Sequence, residues 1–198
     1  MTEAPPIPSA RKIGAALLTR RAALFGLGAL IVCGKDAFAR TLAVPWMAQK
    51  SASDCGRAVL ASLAARRGGQ PEAYYRRLPE PPDPVRGYSI NDMRRFGARV
   101  GVHLAVSAPA GVVIAGDCSA RPAVEAHLRR LARAVAAGRP VVVPVAAGFG
   151  AGHYLVLVGA DGEGFTVMDP ARAGLRPMAA AQLASAMCGF GYVALIAR

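Results

Sequence analysis

Between His153 and Asp169 the chain carries a β-hairpin, and that hairpin limits the fold more than any other feature. His153-Tyr154-Leu155-Val156-Leu157-Val158-Gly159 is a strongly apolar strand with His153 at its start. Asp161-Gly162-Glu163-Gly164 then supplies turn chemistry, and Gly164 to Met168 returns as a second strand. A chain containing this unit must build an antiparallel sheet. Leu104 to Val106, Gly111 to Ala115, Pro140 to Val145 and Tyr192 to Ile196 are further strand candidates.

The first half has the other periodicity. Gly56 to Arg67 places Val59, Leu60 and Leu63 at helical spacing and stops at Gly68-Gly69. Pro71 to Leu78 reads as a short helix, and the four prolines between Pro79 and Val85 require a loop. Ser89 is a natural N-cap for a helix through Met93, Phe96 and Val100, with Gly101 to end it. Further helices are expected over Pro122 to Ala137 and Ala179 to Met187. Helices first and antiparallel strands second predict an α+β domain, with N-terminal helices packed on a C-terminal sheet.

Residues 1–39 read as an address. Arg20-Arg21 precedes an apolar run from Ala22 to Cys33, and Ala37 and Ala39 offer a small-x-small cleavage pattern. This order resembles a twin-arginine signal peptide, with residues 40–198 as the exported domain in the periplasm or outside the cell. Two other readings stay open: an uncleaved inner-membrane anchor, and lipidation at Cys33, where Val32 fits a lipobox poorly. Net charge is +12, and the segment 1–39 contributes only +3 of it, so the remainder is still basic at +9. The arginines come as scattered pairs at helical spacing (Arg66-Arg67, Arg94-Arg95, Arg129-Arg130), which line solvated helix faces. No aromatic-rich basic strand accompanies them, so nucleic acid is not an expected partner, whereas an acidic partner or anionic envelope surface is compatible.

Cys55 stands where a loop becomes a helix. Unpaired N–H groups at a helix start favour thiolate over thiol, and Gly56 lets another backbone or a substrate approach. Gln49, six residues upstream, can reach forward so that its amide joins the Cys55 N–H in binding an oxyanion. Alone, Cys55 reads more readily as a buried core cysteine than as a nucleophile. The hairpin supplies what a nucleophile needs. With the turn centred on Asp161 to Glu163, His153 and Asp169 fall at the same end of the paired strands. Asp169 can then accept from one imidazole nitrogen while the other faces Cys55.

Together Pro45 with Gln49, Asp54-Cys55-Gly56, Gly87-Tyr88-Ser89-Ile90-Asn91-Asp92-Met93, Gly152-His153-Tyr154 and Met168-Asp169-Pro170 resemble cysteine peptidase family thirty-nine. These are papain-like bacteriocin-processing endopeptidases that cut after a double glycine. The similarity covers roughly residues 42–196. It implies a papain-like fold, with Cys55 as nucleophile, His153 as general base, Asp169 as orienting group and Gln49 as oxyanion-hole donor. It implies neither cofactor nor metal. Family members are typically fused to an export transporter and act on the cytoplasmic face. This sequence carries an export signal and no P-loop, so the leader-peptide substrate does not transfer. The segment from Gly111 to Gly138 also exceeds the family's minimal core. Stand-alone exported relatives point instead to a secreted or fibre-forming protein substrate and a secretion-system partner.

If Cys55 stays reduced, Cys118 and Cys188 remain as a pair that an oxidising compartment permits to bridge, though both fit equally as small buried hydrophobes. His103 and His127 lack metal-ligand spacing to these cysteines and are expected at the surface. Three functions compete: an endopeptidase, an acyl or peptidyl transferase with the same triad, and a non-catalytic peptide-binding module that recruits secretion substrates.

Overall fold

The computed structural model describes residues 41–110, 118, 121–147 and 151–198. The signal segment, its boundary after Ala39 and the expected strand over Gly111 to Ala115 lie outside them.

Helix α1 spans Cys55–Ala65 and every one of its residues is buried, so it forms the centre of one layer rather than an amphipathic surface. Positive φ at Gly68 (115°) and Gly69 (87°) turns the chain away after it. Helix α2, Pro71–Arg77, starts on a proline whose missing N–H is no loss at that position. Helix α3, Ile90–Arg99, is fixed by a capping box: Ser89 Oγ accepts from Asp92 N, and Asp92 Oδ2 accepts from Ser89 N, both at 3.1 Å. Strand β1 (Leu104–Ser107) and helix α4 (Arg121–Ala136) follow. Next come β2 (Val141–Ala147), β3 (Ala151–Ala160) and β4 (Gly164–Asp169). The chain ends with β5 (Arg172–Ala179), α5 (Ala180–Met187), a 3-10 turn at Cys188–Phe190 and β6 (Ala194–Ala197).

The six strands form one antiparallel sheet in the order β1-β6-β2-β3-β4-β5. The expected hairpin joins β3 to β4, where Asp161 Oδ1 accepts from Glu163 N (2.8 Å) and Gly164 N (2.7 Å). Alternation along the strands divides the core in two. Val142, Tyr154, Val156, Val158 and Met168 face the layer containing α1 and α3. Val141, Val143, Leu155, Leu157 and Val167 face α4 and α5. The sheet is therefore covered on both faces, which explains why β3 has no polar alternation. Leu60, Leu157, Met168 and Leu195 are fully enclosed, each contributing roughly 1.5–3 kcal/mol. The N-terminal helices do pack on the sheet as expected, with α4 and α5 adding a third layer.

Strand β5 has no counterpart in the sequence expectations. It is an edge strand with six of its eight residues exposed, and it contains Gly174 (φ 88°) and Pro177. An edge strand needs neither apolar alternation nor a complete set of N–H donors, so it left no pattern to read.

Candidate active site

Cys55 is the first residue of α1 and only 4% exposed. The backbone amide of Tyr154, next to His153 on β3, lies near enough to the Cys55 sulfur to favour the thiolate. Burial pushes the thiol's pKa up. The amides of Tyr154, Gly56 and Cys55 itself oppose that shift, and the Asp54 carboxylate adds to it. The expectation that the helix start favours thiolate is thus met in direction but outweighed by desolvation. Forming the thiolate requires a base.

The close approach expected at Gly56 is made by the protein's own side chains. A Cβ there would meet Met93 Sδ at 2.9 Å and Tyr88 Cβ at 3.0 Å. Gly56 thus allows α1 to sit tightly against α3 and the segment before it, rather than admitting a substrate.

Asp54 does not cap α1 with its side chain. Its Oδ2 accepts from the Tyr75 hydroxyl, and its Oδ1 is buried with no hydrogen-bond partner among the described residues. Arg57 stacks over the Tyr75 ring at 4.1 Å, donates from Nε to the Tyr75 carbonyl (3.2 Å) and pairs with Glu80 at 2.5 Å. Together these contacts hold the loop-to-helix junction against α2.

The hairpin brings His153 and Asp169 together. His153 Nε2 and Asp169 Oδ1 are 2.8 Å apart, which leaves Nδ1 as the ring nitrogen not bound to the carboxylate. Asp169 is 5% exposed and well supplied with donors. Ala171 N gives a second bond to Oδ1 at 2.8 Å, and Arg176 Nη2 donates to Oδ2 at 2.7 Å. The Trp46 indole N–H donates to the Asp169 carbonyl at 2.9 Å, and the Gln49 backbone N–H to the Pro170 carbonyl at 3.0 Å. The segment before Cys55 is thereby tied to the end of the hairpin. The Gln49 side chain donates from Nε2 to the Ser51 carbonyl at 3.0 Å, so one amide hydrogen is engaged within its own loop.

A cleft of about 780 Å³ opens beside His153. One wall is the 82–92 segment with Val85, Tyr88 and Ile90, and the other contains Pro144, Tyr154 and Phe190. Its surface is mainly apolar.

Two residues at the site escaped the sequence reading. Arg176 lies on the unread strand β5, and Trp46 sits in an irregular entry segment, so neither belonged to a recognisable pattern. Cys118 and Cys188 form a disulfide with Cα atoms 5.6 Å apart, leaving Cys55 as the free cysteine of the described residues. His103 is exposed as expected, but His127 is 1% exposed. It lies on the inward face of α4 beside Leu128 and Leu131, a position set by helical phase rather than by its polarity.

Helices packed on an antiparallel sheet, with a buried cysteine at a helix start and a His-Asp pair at the end of a hairpin, make an α+β fold of the papain-like type. A model of the Peptidase_C39 like family matches residues 107–186, the span that holds His153 and Asp169. No curated protein matches the chain. Among solved structures, a C39-like peptidase from Bacillus anthracis, described as putative, aligns with a TM-score of 0.54 at 16% identity, covering 78% of this chain and 94% of that one. A double glycine motif protease from an AMS/PCAT transporter, in complex with the leader peptide, aligns at 0.53 and 16%, covering 79% and 93%. The peptidase domain of Streptococcus ComA, a bi-functional ABC transporter involved in a quorum sensing pathway, aligns at 0.53 and 23%, covering 78% and 98%. The fold is that of the C39 peptidases, and residues 107–186 are similar to the Peptidase_C39 like family that the motifs resemble.

Proposed function

We propose that the protein is an exported cysteine endopeptidase in which Cys55 is the nucleophile, His153 the general base and Asp169 the orienting group. The observation that carries this reading is the 2.8 Å contact between His153 Nε2 and Asp169 Oδ1, one residue from the amide that lies near the Cys55 sulfur. Asp169 holds Nε2, so Nδ1 takes the thiol proton as Sγ attacks the carbonyl carbon of the scissile bond. The oxyanion is met by the Cys55 N–H and the Gln49 amide hydrogen not given to Ser51. Imidazolium returns the proton to the leaving nitrogen, the C–N bond breaks and a thioester remains. Water then attacks the thioester while His153 takes its proton, a carboxylate leaves and the thiol is restored.

A peptide lies in the cleft beside His153, in keeping with the complex of a related fold with its leader peptide. Because that neighbour is a double glycine motif protease, a Gly-Gly-type site is the first to test. Export is supported by the twin-arginine-like order of residues 19–39 and by a disulfide of the kind that persists in oxidising compartments. Substrates are therefore sought among secreted or fibre-forming proteins and their secretion partners. The test is to incubate the wild type and Cys55→Ala with the proteins encoded by neighbouring genes. Cleavage by the wild type and none by Cys55→Ala is expected; processing that persists in Cys55→Ala contradicts the assignment.

A further inference from the structure

Asp169 is held more firmly than orienting one imidazole requires. A carboxylate bonded through one oxygen can rotate and present either oxygen to its partner. Here Oδ1 is shared by His153 Nε2 and Ala171 N, while Oδ2 is taken by Arg176 Nη2 at 2.7 Å. Arg176 reaches Asp169 diagonally across the β4–β5 ladder, just before a bulge. Along β4 and β5 the register jumps from Met168 opposite Leu175 to Asp169 opposite Arg172, with Gly174 at φ 88° in the slack. Arg176 itself stands opposite Val167, two residues before Asp169 on β4. Its Nε is buried with no hydrogen-bond partner among the described residues, so what Arg176 gains there is its bond to Asp169.

We infer that Arg176 is a positioning residue that fixes Asp169 with Oδ1 toward His153 and moderates the proton affinity of the imidazole. This rests on the Cys55–His153–Asp169 reading above. A carboxylate alone beside an imidazole favours imidazolium; a guanidinium on its other oxygen withdraws part of that stabilisation. His153 must both accept the Cys55 proton and release it to the leaving nitrogen, and too strong a carboxylate pull impairs the second step.

Few other charges face the pair. On β5 Arg172 lies opposite Asp169 and is exposed. From the N-terminal segment come Trp46 and Gln49, both uncharged, while Lys50 is paired with Glu72 at 2.7 Å. On β2, Pro144 and Val145 stand opposite Tyr154 and His153. From α1 and its N-cap come Cys55, Asp54, which is bonded by Tyr75, and Arg57, which is paired with Glu80 at 2.5 Å. Across the cleft, Asp83 and Arg86 face one another at 4.0 Å, and Asp92 is paired with Arg95 at 2.7 Å.

The test is a ring-resonance titration of His153 by NMR in the folded protein, assigned against His153→Ala. Arg176→Gln is expected to raise the His153 midpoint by roughly 0.5–1 pH unit, Arg176→Lys to keep it near the wild type, and Asp169→Asn to lower it. Arg176→Met serves where the glutamine is not tolerated. An unmoved midpoint in a folded Arg176→Gln or Arg176→Met variant overturns the inference, as does a shift in Arg176→Lys equal to that in Arg176→Gln. Iodoacetamide alkylation of Cys55 in His153→Ala separates this from the underlying reading. Unchanged reactivity there removes the Cys55–His153 pairing, while the titration still reports on Arg176, Asp169 and His153.

Discussion

The α-carbon of Gly87 lies against the carbonyl oxygen of Ser53, two residues before Cys55, so one wall of the cleft rests on the loop that delivers the nucleophile. Gly87 has φ +75°, and a Cβ there would run into that backbone oxygen. Neither the conformation nor the contact tolerates a side chain. Gly87→Ala is expected to lose about 1–3 kcal/mol from the backbone alone. Thermal denaturation checks it, at roughly 2–4 °C per kcal/mol for a domain of this size. Peptide binding in the cleft should weaken in the same variant, because the loop cannot keep its place.

The Asp54–Tyr75 pair separates stability from reactivity. Tyr75→Phe removes the hydroxyl that bonds a carboxylate whose other oxygen is already unpartnered, and should destabilise the fold by about 1–3 kcal/mol in denaturant titration. Asp54→Asn removes a negative charge that holds the Cys55 thiol up, so its alkylation midpoint should move to lower pH. A midpoint that rises instead contradicts the electrostatic account of the junction.

His127 makes stability depend on acid. Burial pushes its pKa down to about 4 from the usual 6.5, with Arg130 adding to the shift and the nearby Tyr192 backbone opposing it. Among the described residues neither ring nitrogen makes a hydrogen bond of good geometry. Between those two values the unfolded chain binds more protons than the folded one, so stability is complete above pH 6.5 and falls as pH drops toward 4. The loss attributable to His127 is on the order of 2–3 kcal/mol. His127→Leu should flatten that acid limb in a series of melts from pH 7 to 4.5 and leave the neutral melting point equal or higher.

The disulfide closes a separation of 70 residues and anchors the 3-10 turn that ends in Phe190, a wall of the cleft. A Cβ at Gly152 would meet that Phe190 ring at 2.9 Å, so the turn also packs on the residue before His153. The double variant Cys118→Ser/Cys188→Ser should lose about 2–4 kcal/mol, and reductant should lower the wild-type melt by a similar amount. Superimposable melts with and without reductant would show that the bridge contributes nothing.

Much of the molecule was legible because its signals are local. Ser89 is the N-cap its residue type predicts, Gly68-Gly69 and Gly101 end their helices, and Asp161 folds the turn that sets His153 and Asp169 side by side. What stayed hidden depends on packing between distant segments. Strand β5 pairs through its backbone while exposing most of its side chains, so Arg176 could not be placed beside Asp169. His127 looked polar and lay in the buried phase of its helix. Gly56 serves Met93 and Tyr88, partners more than thirty residues away in sequence. Trp46 and Gln49 are aimed by bonds to the hairpin end rather than by any structure of their own.

The central claim is that Cys55 and His153 act as a pair, and the rate of Cys55 alkylation by iodoacetamide from pH 5 to 9, read by intact mass, tests it most directly. Burial alone makes this thiol a poor nucleophile near neutrality, so any reactivity there must come from a base. In the wild type, reactivity should extend well below the pH at which the buried thiol would ionise by itself, and His153→Ala should be slower at pH 7 by at least about tenfold. Wild-type and His153→Ala profiles that superimpose across the whole range would contradict the pairing, and with it the peptidase mechanism built on it.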